Sequence, residues 1–224
     1  MNTIKENKKP FFIFIEGADG VGKSTTSALL KEALTEAWKK DVDQALIMQS
    51  TEAGTLLRNI AIKDDTVSEE LKFLSYCFST FYGLDKLKDA YQDKDFVIVD
   101  RSHASTFAQS ICAANMEETT KVHMVKLFEV LNEKFKTDYK DRYLFVNLTV
   151  PATIALDRIR VGRAELDLFE KRGPVYQEKI RHNYNTFFTR HIDKQNVVTI
   201  NTGEKLPITV IADILTNLKE KGKL

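Results

Sequence analysis

A chain of 224 residues balances 33 Lys and Arg against 32 Asp and Glu, so its net charge of +1 gives no bulk attraction to nucleic acid or to an anionic membrane. At 43% hydrophobic and 29% charged it can bury one core, or one core with a small lid, and no apolar run reaches membrane-spanning length. Cys77 and Cys112 have no CxxC partner and no histidine at ligand spacing, which argues against a zinc site and for small core residues of a reducing, cytoplasmic compartment.

The first apolar run, Phe11 to Ile15, predicts a strand. Directly after it Gly17, Ala18, Asp19, Gly20, Val21, Gly22, Lys23 and Ser24 match G-x-x-x-x-G-K-[ST] without a mismatch. Thr25 to Trp38 then reads as a helix with Leu30, Leu34 and Trp38 on one stripe. The chemistry needs these residue types. Glycines let successive N–H groups turn inward as an anion nest, and the helix N-terminus adds partial positive charge. Lys23 reaches β- and γ-phosphates, and the Ser24 hydroxyl can ligate Mg²⁺, so the loop with Thr25 is the expected ATP site. Asp19 is unwelcome among phosphates unless it points elsewhere, to a ribose hydroxyl or a metal, and a solvated loop carboxylate is the alternative.

Further runs follow at Ala45 to Met48, Phe96 to Val99, Tyr143 to Val146 and Val197 to Ile200. Their β-branched and aromatic continuity suits strands buried on both faces. Met124, Leu127, Phe128, Leu131 and Phe135 recur at helical spacing, as do Ile211, Ile214, Leu215 and Leu218. Strand–helix alternation of this kind predicts one doubly wound α/β domain over residues 1–224, with ligands at the carboxyl ends of a parallel sheet. Arg158 to Arg172 is crowded with charge and ends at Gly173-Pro174, which reads as a mobile excursion between two helices. The third strand ends in Asp100-Arg101. An acid there suits a water-mediated Mg²⁺ contact and the arginine a bidentate phosphate clamp, with a plain strand-end ion pair as the alternative.

Phe14 to Ser24 resembles the thymidylate kinase family's F-E-G-x-[DE]-x-x-G-K-[ST], and Asp100, Arg101, Ser105 and Ala108 are similar to its D-R-x-x-x-S-x-x-A. Arg163-Ala-Glu-Leu-Asp167-Leu-Phe-Glu170, with Tyr176, Arg181 and Tyr184 in step, resembles that family's lid. The resemblance implies a P-loop NTPase three-layer fold: a five-stranded parallel sheet between helices, with a short lid over about residues 158–173. It implies ATP and Mg²⁺ as cofactors, a small nucleotide (dTMP, giving dTDP) as substrate, and a homodimer. It gives Asp19 the sugar 3′-hydroxyl and makes Lys23, Arg101 and a lid arginine catalytic. Arg163 is the candidate, with Arg158 and Arg160 as alternates and a solvated helix face paired with Glu165 and Asp167 as the other reading.

Two segments depart from the family pattern. After the second strand Thr51 and Ala53 replace the usual Arg and Pro, leaving Glu52 and Arg58 as candidate acceptor ligands or surface residues. Ser75 and Ser79 stand where the family carries F-x-x-x-R, and Gln109-Ser110 where it has Tyr-Gln. Phe73, Tyr76, Phe78 and Tyr82 lie close by, so Tyr76 is the candidate for a displaced base platform, against the reading of a core aromatic. A deoxynucleoside kinase with Glu52 as general base, or an ATP-binding protein without an acceptor, are the rival expectations.

Overall fold

The computed structural model describes residues 9–47, 51–63, 66–111, 116–162 and 173–224. Among them five strands form one parallel sheet in the order β2-β3-β1-β4-β5. They are β1 (Phe11–Glu16), β2 (Val42–Leu46), β3 (Phe96–Asp100), β4 (Tyr143–Thr149) and β5 (Val197–Asn201).

The three inner strands are buried almost throughout, as their unbroken apolar runs require. The edge strands differ. β2 alternates in burial and runs from Val42 rather than Ala45, because its polar Asp43 and Gln44 sit on a strand with solvent at one side. Met48 lies outside the described residues. β5 is likewise mostly half-exposed.

Side-chain alternation along β1 divides the layers. Phe12 and Phe14 face Tyr139 and Phe135 of α5 (Glu118–Tyr139), with ring centroids 4.9 and 5.7 Å apart. On the other face α1 (Lys23–Glu36) packs with α8 (Pro207–Glu220), whose Val210, Ile211, Ile214 and Leu218 are buried. α1 stops two residues short of Trp38, which sits half-buried with Lys219 Nζ 4.7 Å from its ring centre. In α5 the buried stripe is Phe128, Asn132, Phe135 and Tyr139, one row round from the predicted Leu127, which is exposed.

α2 (Glu52–Lys63) packs on α3 (Glu69–Ala90), and α6 (Ala152–Gly162) on α7 (Gly173–Arg190). α4 (His103–Ser105) runs into a π-helical segment, Thr106–Ile111. This widened turn carries Gln109 and Ser110 and is tied to α7 by Asn183 Nδ2, which donates to Ala108 O at 2.8 Å. No helix among the described residues is long and apolar enough to cross a membrane. Residues 158–162 of the expected lid complete α6 and residue 173 opens α7; residues 163–172 lie outside the described residues.

The register brings the functional ends together. Ile15 pairs with Asp100 and Glu16 with Asn147, so the phosphate loop and the Asp100-Arg101 turn leave the same carboxyl edge side by side. The chain passes from β1 out to β2 and later returns to β4 on the other side. That edge is therefore the switch point where parallel sheets bind ligands.

Candidate active site

The loop between β1 and α1 takes its shape from three glycines with positive φ, at 136° for Gly17, 77° for Gly20 and 96° for Gly22. A Cβ on Gly17 would lie 2.3 Å from Leu148 O, and one on Gly20 2.3 Å from Ala155 O, so the loop is seated against β4 and α6 without room for a side chain. Gly22 faces open space. Lys23, buried at the start of α1, donates to Gly17 O at 3.1 Å and Ala18 O at 2.8 Å. Burial, and then the Arg101 charge, push its amine down to about 8 against the pull of Asp19, Asp100 and Glu16. Ser24 and Thr25 are exposed in the first turn of the helix.

Arg101 follows β3 with φ 66°, a left-handed conformation that costs a non-glycine residue about 1–3 kcal/mol. Its backbone N–H donates to Ile15 O at 3.1 Å, locking the turn to β1. Its guanidinium donates to Asp19 Oδ1 and, at 3.4 Å, to Ser105 Oγ. Lys23 Nζ lies 3.4 Å from the same Asp19 oxygen. Burial opposes the Asp19 charge, but the two cations outweigh it and hold the carboxyl below its usual range.

Asp100 Oδ1 is buried and has no hydrogen-bond partner among the described residues. No group of three or more His, Cys, Asp or Glu among those residues forms an all-protein metal cage. An orphaned carboxylate oxygen on a strand end, with the exposed Ser24 hydroxyl, instead fits a cation that takes its remaining ligands from phosphates and water, as Mg²⁺ does.

Beneath these groups lies a buried polar cluster. Glu16 accepts from Ser102 Oγ at 2.5 Å and from Ser105 Oγ at 2.8 Å, and Ser105 Oγ is 2.8 Å from Tyr184 Oη of α7. Ser105, which the D-R-x-x-x-S match makes a substrate-binding candidate, is thus enclosed and touches Arg101. Glu16 and Tyr184 fall within the motifs matched to the family, but neither they nor Ser102 have a role assigned from the sequence. The available signal was a lone carboxylate ending an otherwise apolar strand.

The remaining candidates fall on other elements. Glu52 is exposed in the first turn of α2, while Thr51 Oγ1 accepts from Gly54 N at 3.0 Å and caps that helix. The Arg58 side chain and Arg163 lie outside the described residues. Ser79 donates to Gly54 O at 2.8 Å and is fully buried, so the position matched to the arginine of F-x-x-x-R is spent joining α3 to α2. Ser75 bonds its own helix at Leu71 O, Phe73 is core, and Tyr76 is half-buried. Arg158 donates to Thr202 Oγ1 at 3.1 Å and Thr202 O at 2.8 Å, while Thr202 Oγ1 donates to Val21 O at 2.9 Å. Arg158 thereby braces the phosphate loop from behind. Arg160 is exposed beside Asp157. Lys23, Asp19, Arg101 and Ser105 are therefore joined in a chain of contacts, whereas Glu52 and Tyr76 stand on the α2–α3 pair.

Residues 15–212 match the family model described as thymidylate kinase. The chain is similar to the thymidylate kinase of Alteromonas mediterranea, with 26% identity over 94% of this chain and 93% of that one. It is 30% identical to the thymidylate kinase of Fervidobacterium nodosum over 77% of this chain and 82% of the relative. In structure it resembles thymidylate kinase from Candida albicans at a TM-score of 0.68 and 17% identity, covering 96% of this chain and 93% of the other, which speaks to the fold.

Proposed function

This chain belongs to the thymidylate kinase family of ATP-dependent phosphotransferases, and on that premise we propose that it transfers the γ-phosphoryl group of ATP to dTMP, giving ADP and dTDP. One observation carries the site assignment: a lysine of the phosphate loop and an arginine from the neighbouring strand end converge on a single carboxylate oxygen, Asp19 Oδ1. Two phosphate-seeking cations from separate elements meet where a donor and an acceptor phosphate must approach one another.

The loop N–H groups, the α1 N-terminus and Lys23 hold the β- and γ-phosphates, while Arg101 holds the acceptor phosphate. An oxygen of that phosphate attacks the γ-phosphorus in line as the bond to the β-phosphate oxygen breaks and ADP leaves. The nucleophile is already ionised, so no general base is required and Glu52 is not needed as one. Positioning and charge neutralisation supply the rate, with Arg163 as the proposed lid arginine. Mg²⁺ held by Ser24 and Asp100 would add charge compensation on the phosphates. Tyr76 and the π-helical Gln109 are the proposed base-side contacts, since Ser79 is committed to Gly54. A homodimer, typical of the family, would cover the exposed Leu71, Leu74 and Phe78 of α3 together with Leu56 and Ile60 of α2.

Equilibrium titration of wild type and Arg101→Ala with dTMP and with thymidine tests the clamp. The variant should bind dTMP about 10-fold more weakly or worse, with thymidine affinity unchanged. Equal losses for both ligands would overturn the assignment.

A further inference from the structure

Glu16 is the last residue of β1, fully buried, and one residue ahead of the phosphate loop. A carboxylate so placed is unfavourable unless its oxygens are satisfied, and here both are: Ser102 donates to one and Ser105 to the other. Burial still lifts its pKa, against the opposing effect of the two serine hydrogen bonds.

With Glu16 ionised, the state its two serine donors favour, counting protons sets the direction of the bonds in the cluster. Ser105 has one hydroxyl hydrogen, which goes to Glu16. Its lone pairs must then accept from Arg101 Nη1, at 3.4 Å, and from Tyr184, at 2.8 Å, so the tyrosine is the donor. Ser102, which gives its hydrogen to Glu16, accepts from Ala104 N at 3.2 Å and caps α4. Arg101 and Tyr184 therefore both point into Ser105, and Ser105 and Ser102 both point into Glu16.

Arg101 sits between these anchors in a conformation that only its surroundings can impose. Ser102 on one side and Ser105 one helical turn on are both pinned to the same carboxylate. We propose that Glu16 and Tyr184 are positioning residues: acting through Ser105, they aim the Arg101 guanidinium at the acceptor phosphate and tie that aim to the placement of α7. The inference rests on the reading of Arg101 as the acceptor clamp.

Steady-state kinetics of the full chain with Mg-ATP and dTMP test it, using Tyr184→Phe, Glu16→Gln and Arg101→Ala alone and in pairs, each with its thermal midpoint. Tyr184→Phe keeps the buried ring and removes one donor. It should lower kcat/KM for dTMP by about fivefold or more, with the KM for ATP within about twofold of wild type. In an Arg101→Ala background the same substitution should change kcat/KM for dTMP by less than about twofold. An equal effect in both backgrounds, or a loss shared by ATP and dTMP, would show a merely structural cluster and overturn the proposal while leaving the clamp intact. Unchanged dTMP kinetics in Arg101→Ala alone would instead remove the clamp, and this inference with it. If Glu16→Gln does not fold, Tyr184→Phe decides the question by itself.

Discussion

The Asp19 carboxylate accepts a charge-assisted hydrogen bond from Arg101 while Lys23 Nζ lies 3.4 Å from the same oxygen, so one side chain joins the phosphate loop to the end of β3. Without it the buried Lys23 ammonium and the half-buried Arg101 guanidinium would repel one another, an effect that adds to that of burial in lowering the Lys23 pKa. On the proposed reading, incoming phosphates would meet both cations at once and free Asp19 to turn to another donor. Asp19→Asn keeps the shape and removes the charge. It should leave ATP affinity within about threefold, because the loop amides and Lys23 remain, while kcat/KM for dTMP falls about 10- to 100-fold as Arg101 loses its ionic partner. Calorimetric ATP titration beside steady-state kinetics reads both effects.

Two glycines of the loop should separate folding from binding. Gly20→Ala would place a methyl 2.3 Å from Ala155 O at φ 77°, so both strain and clash act, and stability should fall by about 3 kcal/mol or more. Gly22→Ala meets nothing within 4 Å and carries only the strain of φ 96°, which costs about 1–2 kcal/mol. Denaturant unfolding of the two variants should reproduce that order, whereas equal losses would mean that the loop is not seated against α6.

Arg163 is proposed to neutralise charge on the phosphoryl group in transfer. Arginines in that role are worth about 10³–10⁵-fold in turnover, so Arg163→Ala should lower kcat by orders of magnitude with a much smaller change in ATP affinity. A near-wild-type kcat would remove the assignment.

His103 supplies a pH signature in the aromatic core behind the site. Its ring is fully buried, 4.3 Å from Phe135 and 5.5 Å from Phe187, and bonded through Nε2 to Asn132 at 3.0 Å. Burial drives its pKa down to about 3 from the ordinary 6.5. Between those values the unfolded chain holds a proton that the folded chain does not. The contribution to stability is therefore complete above about 6.5 and is lost as pH falls towards 3. Urea unfolding across that range should show wild-type stability declining by up to ~1.4 kcal/mol per pH unit more steeply than that of His103→Gln. Parallel curves would contradict the buried neutral ring.

What was legible in the chain was whatever local chemistry dictates. The apolar runs located β1, β3 and β4 because buried parallel strands need unbroken apolar sequence, and the loop declared itself because an anion nest tolerates few side chains. β2 was read late because an edge strand keeps polar residues that resemble a turn. The contacts of the Glu16 cluster were hidden for a different reason, although Glu16, Ser105 and Tyr184 each fall in a matched motif. Ser102, Ser105 and Tyr184 are ordinary residues whose meaning depends on α7 returning to the end of β1, a contact between residues 79 positions apart in the case of Ser105 and Tyr184. Arg158 was read as a lid residue, yet its hydrogen bonds to Thr202 depend on where the last strand ends. Ser75 and Ser79 showed what base contact is missing, and only the fold showed that Ser79 is occupied by Gly54.

The most direct measurement is product analysis with Mg-ATP and a panel of nucleoside monophosphates and deoxynucleosides, with Lys23→Ala as the blank. The account predicts dTDP from dTMP, faster than product from any other monophosphate, nothing from thymidine, and no product with the variant. Phosphorylation of deoxynucleosides alone, or ATP binding with no transfer to any acceptor, would contradict it.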